Sequence, residues 1–318
     1  MPLPRTARAG GVPGRLPPHA YFAASAVFHY LGPSFAVLLF ARVDVLGVAW
    51  LRIATAALLL GAWRRPWRRL RATDRGGRAL VVGLGAVFAL MNACFYLSIS
   101  RLPLSTVAAI EFLGPISLAL AGARVWRNVG AVVAAAAGVY LLTRLRLQGD
   151  PLGVGLAFAN AGLFTAYVVL AHRLSRRPTM GGLDGLAAAM LVAVAFISPI
   201  GLGHAYSAFG DPVALAAGAG VGVSSSVVPY VFDQLAMARL PRATYALLVA
   251  LLPAVATLVG VVVLRQLPSA LDLAGIALVM VGVGLHRAQP EEPVSADEPD
   301  ARSRTPSRHH QGLRRAGP

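Results

Sequence analysis

Lysine is absent from this chain, cysteine occurs once, and charge of any kind is scarce. Only 13% of residues are charged while 57% are hydrophobic, against roughly a quarter and about half in a soluble domain. So little charge cannot cover a folded surface in water, and a mean hydropathy of +0.66 makes lipid the fitting solvent. The missing lysine excludes a Walker phosphate loop, which requires one. The GLG at 83–85 is therefore no nucleotide cradle, and energy for any transport has to come from gradients. The lone Cys94 sits in an apolar run and can form no disulfide within the chain. Histidines are scattered, with His19, His172, His309 and His310 in loops or tails, so no metal site or cofactor is expected. HExxH, GxSxG and paired carboxylates are missing too, which leaves an intramembrane enzyme without a catalytic constellation.

What is present is a series of apolar runs. A span needs roughly 20 apolar residues to cross about 30 Å of hydrocarbon. Ten such spans are predicted: 20–40, 45–63, 78–100, 104–122, 126–143, 152–171, 183–203, 212–236, 241–264 and 270–287. The first is too long for a signal-peptide core and is read as an uncleaved span. Asp44, Asp150, Asp184, Asp211 and Asp272 stand at predicted helix starts, where a carboxylate can cap free N–H groups and oppose the dipole.

A net charge of +16 would suit a nucleic-acid binder. Apart from Arg52, however, the arginines stand at the ends of the apolar runs, in the short connections between them or in the tails. With the N-terminus inside, the cytoplasmic segments before residue 288 carry seventeen arginines and the opposite loops five (Arg42, Arg101, Arg144, Arg146 and Arg265). That asymmetry puts both termini in the cytoplasm of a bacterial inner-membrane protein and gives nucleic acid no role. Residues 288–318 hold five acids, five arginines and several prolines with few apolar residues, a composition that predicts a disordered tail.

Residues 101–115 (RLPLSTVAAIEFLGP) align without a gap with 239–253 (RLPRATYALLVALLP), sharing Arg, Leu, Pro, Thr, Ala, Leu and Pro. The match recurs at the junction of spans 3 and 4 and of spans 8 and 9, so each unit has five spans. Two copies of an odd number of spans enter the membrane from opposite sides, the arrangement of many secondary transporters. The expected fold is thus an all-α integral membrane protein: ten transmembrane helices as two inverted-topology five-helix repeats. The repeats cover 20–143 and 152–287, between a cytoplasmic N-tail, 1–19, and the C-tail, 288–318.

Several stretches carry a resemblance to a known family: AWLRIATAALLLGAW (49–63), ALMNACFYLSISRLPLSTVAAIEFLGPISLAL (89–120), SSVVPYVFDQLAMARLPRATYALLVALLPAVATLVGVVVL (225–264) and GIALVMVGVGLHR (275–287). They resemble the drug/metabolite transporter superfamily with EamA-type repeats, and within it the bacterial threonine/homoserine exporters. The resemblance implies a central cavity lined chiefly by helices 1, 3, 4, 6, 8 and 9, and export of amino acids or related metabolites.

Ionisable groups inside a bilayer are costly and face a partner or a wet cavity. Glu111, four residues before Pro115, is a candidate ligand for an ammonium group or a carrier of an exchanged proton, with a structural ion pair as the competing account. Arg52 lies at similar depth, where pairing with Glu111 is possible, and is assigned a structural role because helix 2 is not expected to line the cavity. Asp233, with Arg239 and Arg242 one to two turns on, is read as a helix-end pair or gate. The uncharged polar set expected around a substrate is His29, Asn92, Tyr96, Asn160, Tyr167, Ser226, Tyr230 and Tyr245. Asn92 with Tyr96, and Ser226 with Tyr230, are four apart and share a face. The leading function is a secondary exporter of threonine- or homoserine-like metabolites, with the bilayer and a small solute as partners. Proton coupling, other solutes of the same superfamily and a non-transporting membrane sensor or scaffold stay open.

Overall fold

Helix starts are set by acids and prolines. In the computed structural model the side chains of Asp44, Asp74, Asp150 and Asp211 accept the backbone N–H groups of Leu46, Gly77, Gly153 and Val213 at 2.8–3.2 Å. Ser269 and Asp272 cap reciprocally: Asp272 Oδ2 accepts the Ser269 N–H at 2.9 Å while Ser269 Oγ accepts the Asp272 N–H at 3.2 Å, a capping box. Asp184 lies in the first turn of its helix as expected, and its carboxylate also takes Arg64 Nε at 2.8 Å and Arg69 Nη1 at 2.6 Å. Asp74, not singled out in the sequence, supplies the cap that starts its helix three residues early.

The structure describes residues 17–114, 117, 126–143, 150–177, 179–180, 182–237, 239–240, 248–249 and 251–285. Among these all regular structure is helical: α1 (Pro18–Leu39), α2 (Val45–Arg64), α3 (Trp67–Ala72), α4 (Arg75–Ile99), α5 (Leu104–Glu111), α6 (Trp126–Thr143), α7 (Pro151–Ser175), α8 (Gly182–His204), α9 (Tyr206–Phe209), α10 (Pro212–Gly222), a π-helical turn (Val223–Val227), α11 (Val228–Met237), α12 (Leu252–Leu264) and α13 (Ala270–Leu285). Six helical stretches are long and apolar enough to cross a membrane: His19–Leu39, Val45–Arg64, Arg75–Ile99, Pro151–Ser175, Gly182–His204 and Pro212–Asp233. Shorter apolar helices cover Trp126–Leu142, Leu252–Leu264 and Ala270–Leu285. Much of the expected spans 104–122 and 241–264, and the two tails but for residues 17–19, lie outside the described residues. The short α3 and α9 sit in loops for which the sequence pattern predicts no helix.

Packing brings distant segments together. α4 lies on α7, α8 on α2 and on α4, and α13 on α6. α1 packs on α10, the π-turn, α11 and α12, while α5 packs on α7 and α12 and α2 on α10. Small residues set the closest crossings, as expected where lipid gives helices no hydrophobic reason to associate. A Cβ on Gly138 would lie 2.5 Å from the Gly275 carbonyl oxygen, and one on Gly222 2.6 Å from Thr55 Cβ. Outward faces carry large apolar groups, with Leu58 and Val262 both 70% exposed, which is tolerable in hydrocarbon. One end of the bundle collects Arg64, Arg65, Arg68, Arg69, Arg71 and Arg75 with Arg173, Arg176 and Arg177; the other holds Arg42, Arg101 and Arg265. Ion pairs knit each end separately: Asp184 and the Asp74–Arg177 pair (3.0 Å) at the first, Arg42–Asp211 (3.1 Å) and Asp44–His204 (3.1 Å) at the second.

Candidate functional site

Two weakened helices meet in the middle of the bundle. In α1, Pro33 removes the donor for the His29 carbonyl, and Gly32 brings the backbone so close that a Cβ there would lie 2.8 Å from Ser225 Cα. Ser225 belongs to the π-turn that interrupts the eighth span; such turns recur at functional sites. Within it the Ser224 hydroxyl bonds back to the Gly220 carbonyl at 2.8 Å, and the Ser225 hydroxyl to that of Val221.

The chain sends a guanidinium into this junction. Arg52 on α2 is 8% exposed. Its Nε donates to Ser226 Oγ at 3.1 Å and its Nη2 to the Ser225 carbonyl at 3.2 Å, and its Cζ stands 5.4 Å from the centroid of the Tyr96 ring. The pairing with Glu111 that sequence depth allowed is not formed: no contact within 4.0 Å joins the two. Arg52 does meet the candidates Ser226 and Tyr96, although helix 2 is not expected to line the cavity. α2 reaches them because Gly218 and Gly222 let it press against α10.

Glu111, at the end of α5, accepts a hydrogen bond from Asn160 Nδ2 on α7 at 3.3 Å. Asn160 is fully buried, and its Oδ1 has no partner among the described residues. The Tyr96 hydroxyl, also fully buried, lies near Arg52 and Ser225 yet makes no well-formed hydrogen bond. Thr106 Oγ1 is the third such orphan. Buried polar atoms are normally satisfied; of these three, Asn160 lies beside the Glu111 carboxylate and Tyr96 beside the Arg52 guanidinium. Thr106 was not singled out from the sequence. The available signal was the repeat, in which Thr106 aligns with Thr244 as one of the shared residues.

The remaining candidates divide. His29 packs edge-on against Tyr30 at 5.4 Å. Asn92 is buried but donates to its own helix, to the Phe88 carbonyl at 2.8 Å. Tyr167 and Tyr230 meet through their phenols and line a cavity of about 160 Å³ with Leu174, Met180, Gly182 and Leu186, at the arginine-rich end of the bundle. Tyr167 is seven residues from Asn160, about 10 Å along one face of α7. Asp233 Oδ1 lies 2.6 Å from the Ser25 hydroxyl, tying α11 to α1. Arg239 instead stacks over Tyr21, 4.9 Å from its centroid. Tyr245, Pro115 and Arg242 lie outside the described residues. A larger cavity of about 490 Å³, between Phe35, Leu38, Val213 and Ala217, is lined mostly by apolar groups with Arg42 and Ser224 and holds none of the candidate residues.

Comparison with known proteins identifies the architecture. The model of the EamA-like transporter family matches residues 151–287. The threonine/homoserine exporter RhtA of Salmonella typhimurium (strain SL1344) is 31% identical over 252 residues, covering 78% of this chain and 84% of that protein. This chain belongs to the EamA-like transporter family. RhtA of Escherichia coli (strain K12) is 30% identical over the same extent. A solved crystal structure of another protein superposes with a TM-score of 0.51 at 18% identity, covering 84% of this chain and 97% of that one, a likeness of fold alone. As an EamA-like transporter the chain is a multi-pass membrane protein that moves a small-molecule substrate, and it is not an enzyme.

Proposed function

We propose that this EamA-like transporter exports small amino-acid-like metabolites, of the threonine and homoserine type, across the bacterial plasma membrane by alternating access. The observation that carries this reading is Glu111. Its carboxylate lies inside an apolar bundle, held by one neutral amide and with no cation within 4.0 Å among the described residues, which suits an ammonium group. Asn160, Tyr96, Ser226, Tyr167, Tyr230 and His29 supply the surrounding hydrogen-bonding groups, Tyr245 joins them by its place in span 9, and Asn92 holds the adjoining helix. Asp233 serves as a gate charge between α11 and α1. The names of the relatives, both threonine/homoserine exporters, support the solute class.

Alternating access rests on two inverted five-helix repeats, 20–143 and 152–287, with both termini cytoplasmic. The packing supports this. Numbering the spans α1, α2, α4, α5, α6, α7, α8, α10–α11, α12 and α13, and exchanging span n with span n + 5, turns the third-on-sixth contact into the eighth-on-first. It likewise turns seventh-on-third into second-on-eighth and fourth-on-sixth into ninth-on-first, and each of these contacts occurs. The cavity beside Tyr167 and Tyr230 then serves as the cytoplasmic approach.

The test is efflux from cells loaded with a threonine-containing dipeptide. Wild type exports threonine and homoserine, and Glu111→Gln exports them at least tenfold more slowly. Export of neither by wild type overturns the reading. Repeating the assay at two external pH values reports whether a proton is exchanged with the solute.

A further inference from the structure

Arg52 has more bonding capacity than the protein uses. A guanidinium presents five N–H donors in a planar fork. The protein occupies the side edge, Nε with Ser226 Oγ and Nη2 with the Ser225 carbonyl. The Tyr96 hydroxyl lies beside the guanidinium without a well-formed hydrogen bond, and among the described residues no carboxylate stands within 4.0 Å of any of its nitrogens. Both acceptors are neutral, so a full positive charge on a side chain only 8% exposed stays without a counterion there. Joining α2 to the π-turn would need only a neutral donor; the charge meets the face of the Tyr96 ring and, among the described residues, no anion within 4.0 Å.

The surroundings fit an anion. The Tyr96 ring lies against the guanidinium and its hydroxyl is buried without a well-formed partner. Glu111 makes no contact with Arg52 within 4.0 Å and is held by Asn160 Nδ2 at 3.3 Å. One cation and one anion held apart, each with a neutral hydrogen-bonding escort, are complementary to a zwitterion. An end-on fork takes a carboxylate in a bidentate fashion.

We propose that Arg52 binds the α-carboxylate of the transported solute through its Nη1–Nη2 edge, with the Tyr96 hydroxyl as a further donor, and so selects solutes carrying a free carboxylate. This rests on the amino-acid reading above and replaces the purely structural role that the sequence suggested for Arg52.

The experiment is counterflow of labelled threonine into liposomes containing the purified full-length protein, with unlabelled threonine or threonine amide as competitor. The amide keeps the ammonium group and side chain and replaces the carboxylate by a neutral group. On wild type the amide competes at least tenfold less well than threonine. Arg52→Gln loses threonine counterflow at least tenfold, and Arg52→Lys, which restores the charge but not the fork, recovers part of it. The proposal is overturned if the amide competes as well as threonine on wild type. It is equally overturned if Arg52→Gln, eluting as a single species with the wild-type melting midpoint, moves threonine at the wild-type rate. Should Arg52→Gln fail to fold, the wild-type competition decides alone. If wild type moves neither threonine nor homoserine, the solute reading falls first and the assignment of Arg52 falls with it.

Discussion

Single residues at the two ends of the bundle do work that the central ones do not. Asp211 caps α10 through the Val213 and Ala214 N–H groups and meets Arg42 at 3.1 Å. The Ala214 N–H first, with Arg42 and the Val213 N–H, holds its carboxyl below the ordinary aspartate value. A depressed folded-state value means stability that is present above the unfolded-state pKa, about 3.9, and is lost as pH falls through the folded one. Asp211→Asn should therefore melt below wild type at neutral pH, with the two midpoints converging in acid. Thermal unfolding of the solubilised protein over a pH series checks this, and a gap independent of pH would contradict it.

At the scale of elements, the eighth span shows how close packing and irregular geometry cooperate. Gly222 faces Thr55 and the Arg52 carbonyl at 2.6 and 2.9 Å from a would-be Cβ, whereas Gly220, two residues away, has nothing within 4 Å. Gly222→Ala should cost about 1–3 kcal/mol through overpacking. Gly220→Ala should be neutral or stabilise by up to ~1 kcal/mol, since alanine is the better helix former. Melting the two variants side by side separates contact from propensity. The π-turn makes a second demand. Removing Ser224 would let the turn relax to an α-helix and swing Ser225 and Ser226 relative to α11 by about 100°. The deletion should abolish export, while Ser224→Ala, which removes a hydroxyl bonded only within its own span, should leave it intact. Equal export by both would show that the π-turn has no part in transport.

For the whole molecule, the proposal of two inverted halves fixes where every loop lies. A fluorescent reporter that matures only in the cytoplasm should light when fused to either terminus. A phosphatase active only outside the cytoplasm should work when inserted in the loop before Asp150 and stay silent in the loop after Ser175. A dark C-terminal fusion beside a bright N-terminal one would mean an odd number of crossings and would break the scheme.

Periodicity and charge, which are local properties, carried most of the architecture. The apolar runs fixed the long helices, the acids at Asp44, Asp150, Asp211 and Asp272 marked their starts, and the repeat at 101–115 and 239–253 implied two units. The polar candidates Glu111, Asn160, Tyr96 and Ser226 were legible because a hydrogen-bonding group in an apolar run is conspicuous. What no local pattern carries is who meets whom. Asp184, in the first turn of its helix, also anchors Arg64 and Arg69, and Arg52 joined the π-turn rather than Glu111. Thr106 became a buried hydroxyl without a partner among the described residues, and Asn92 spent its amide on its own backbone. Those outcomes depend on helix rotation and on gaps of an ångström opened by glycines at crossings. Both are set by the simultaneous packing of segments far apart in the chain, so only the assembled bundle decides them.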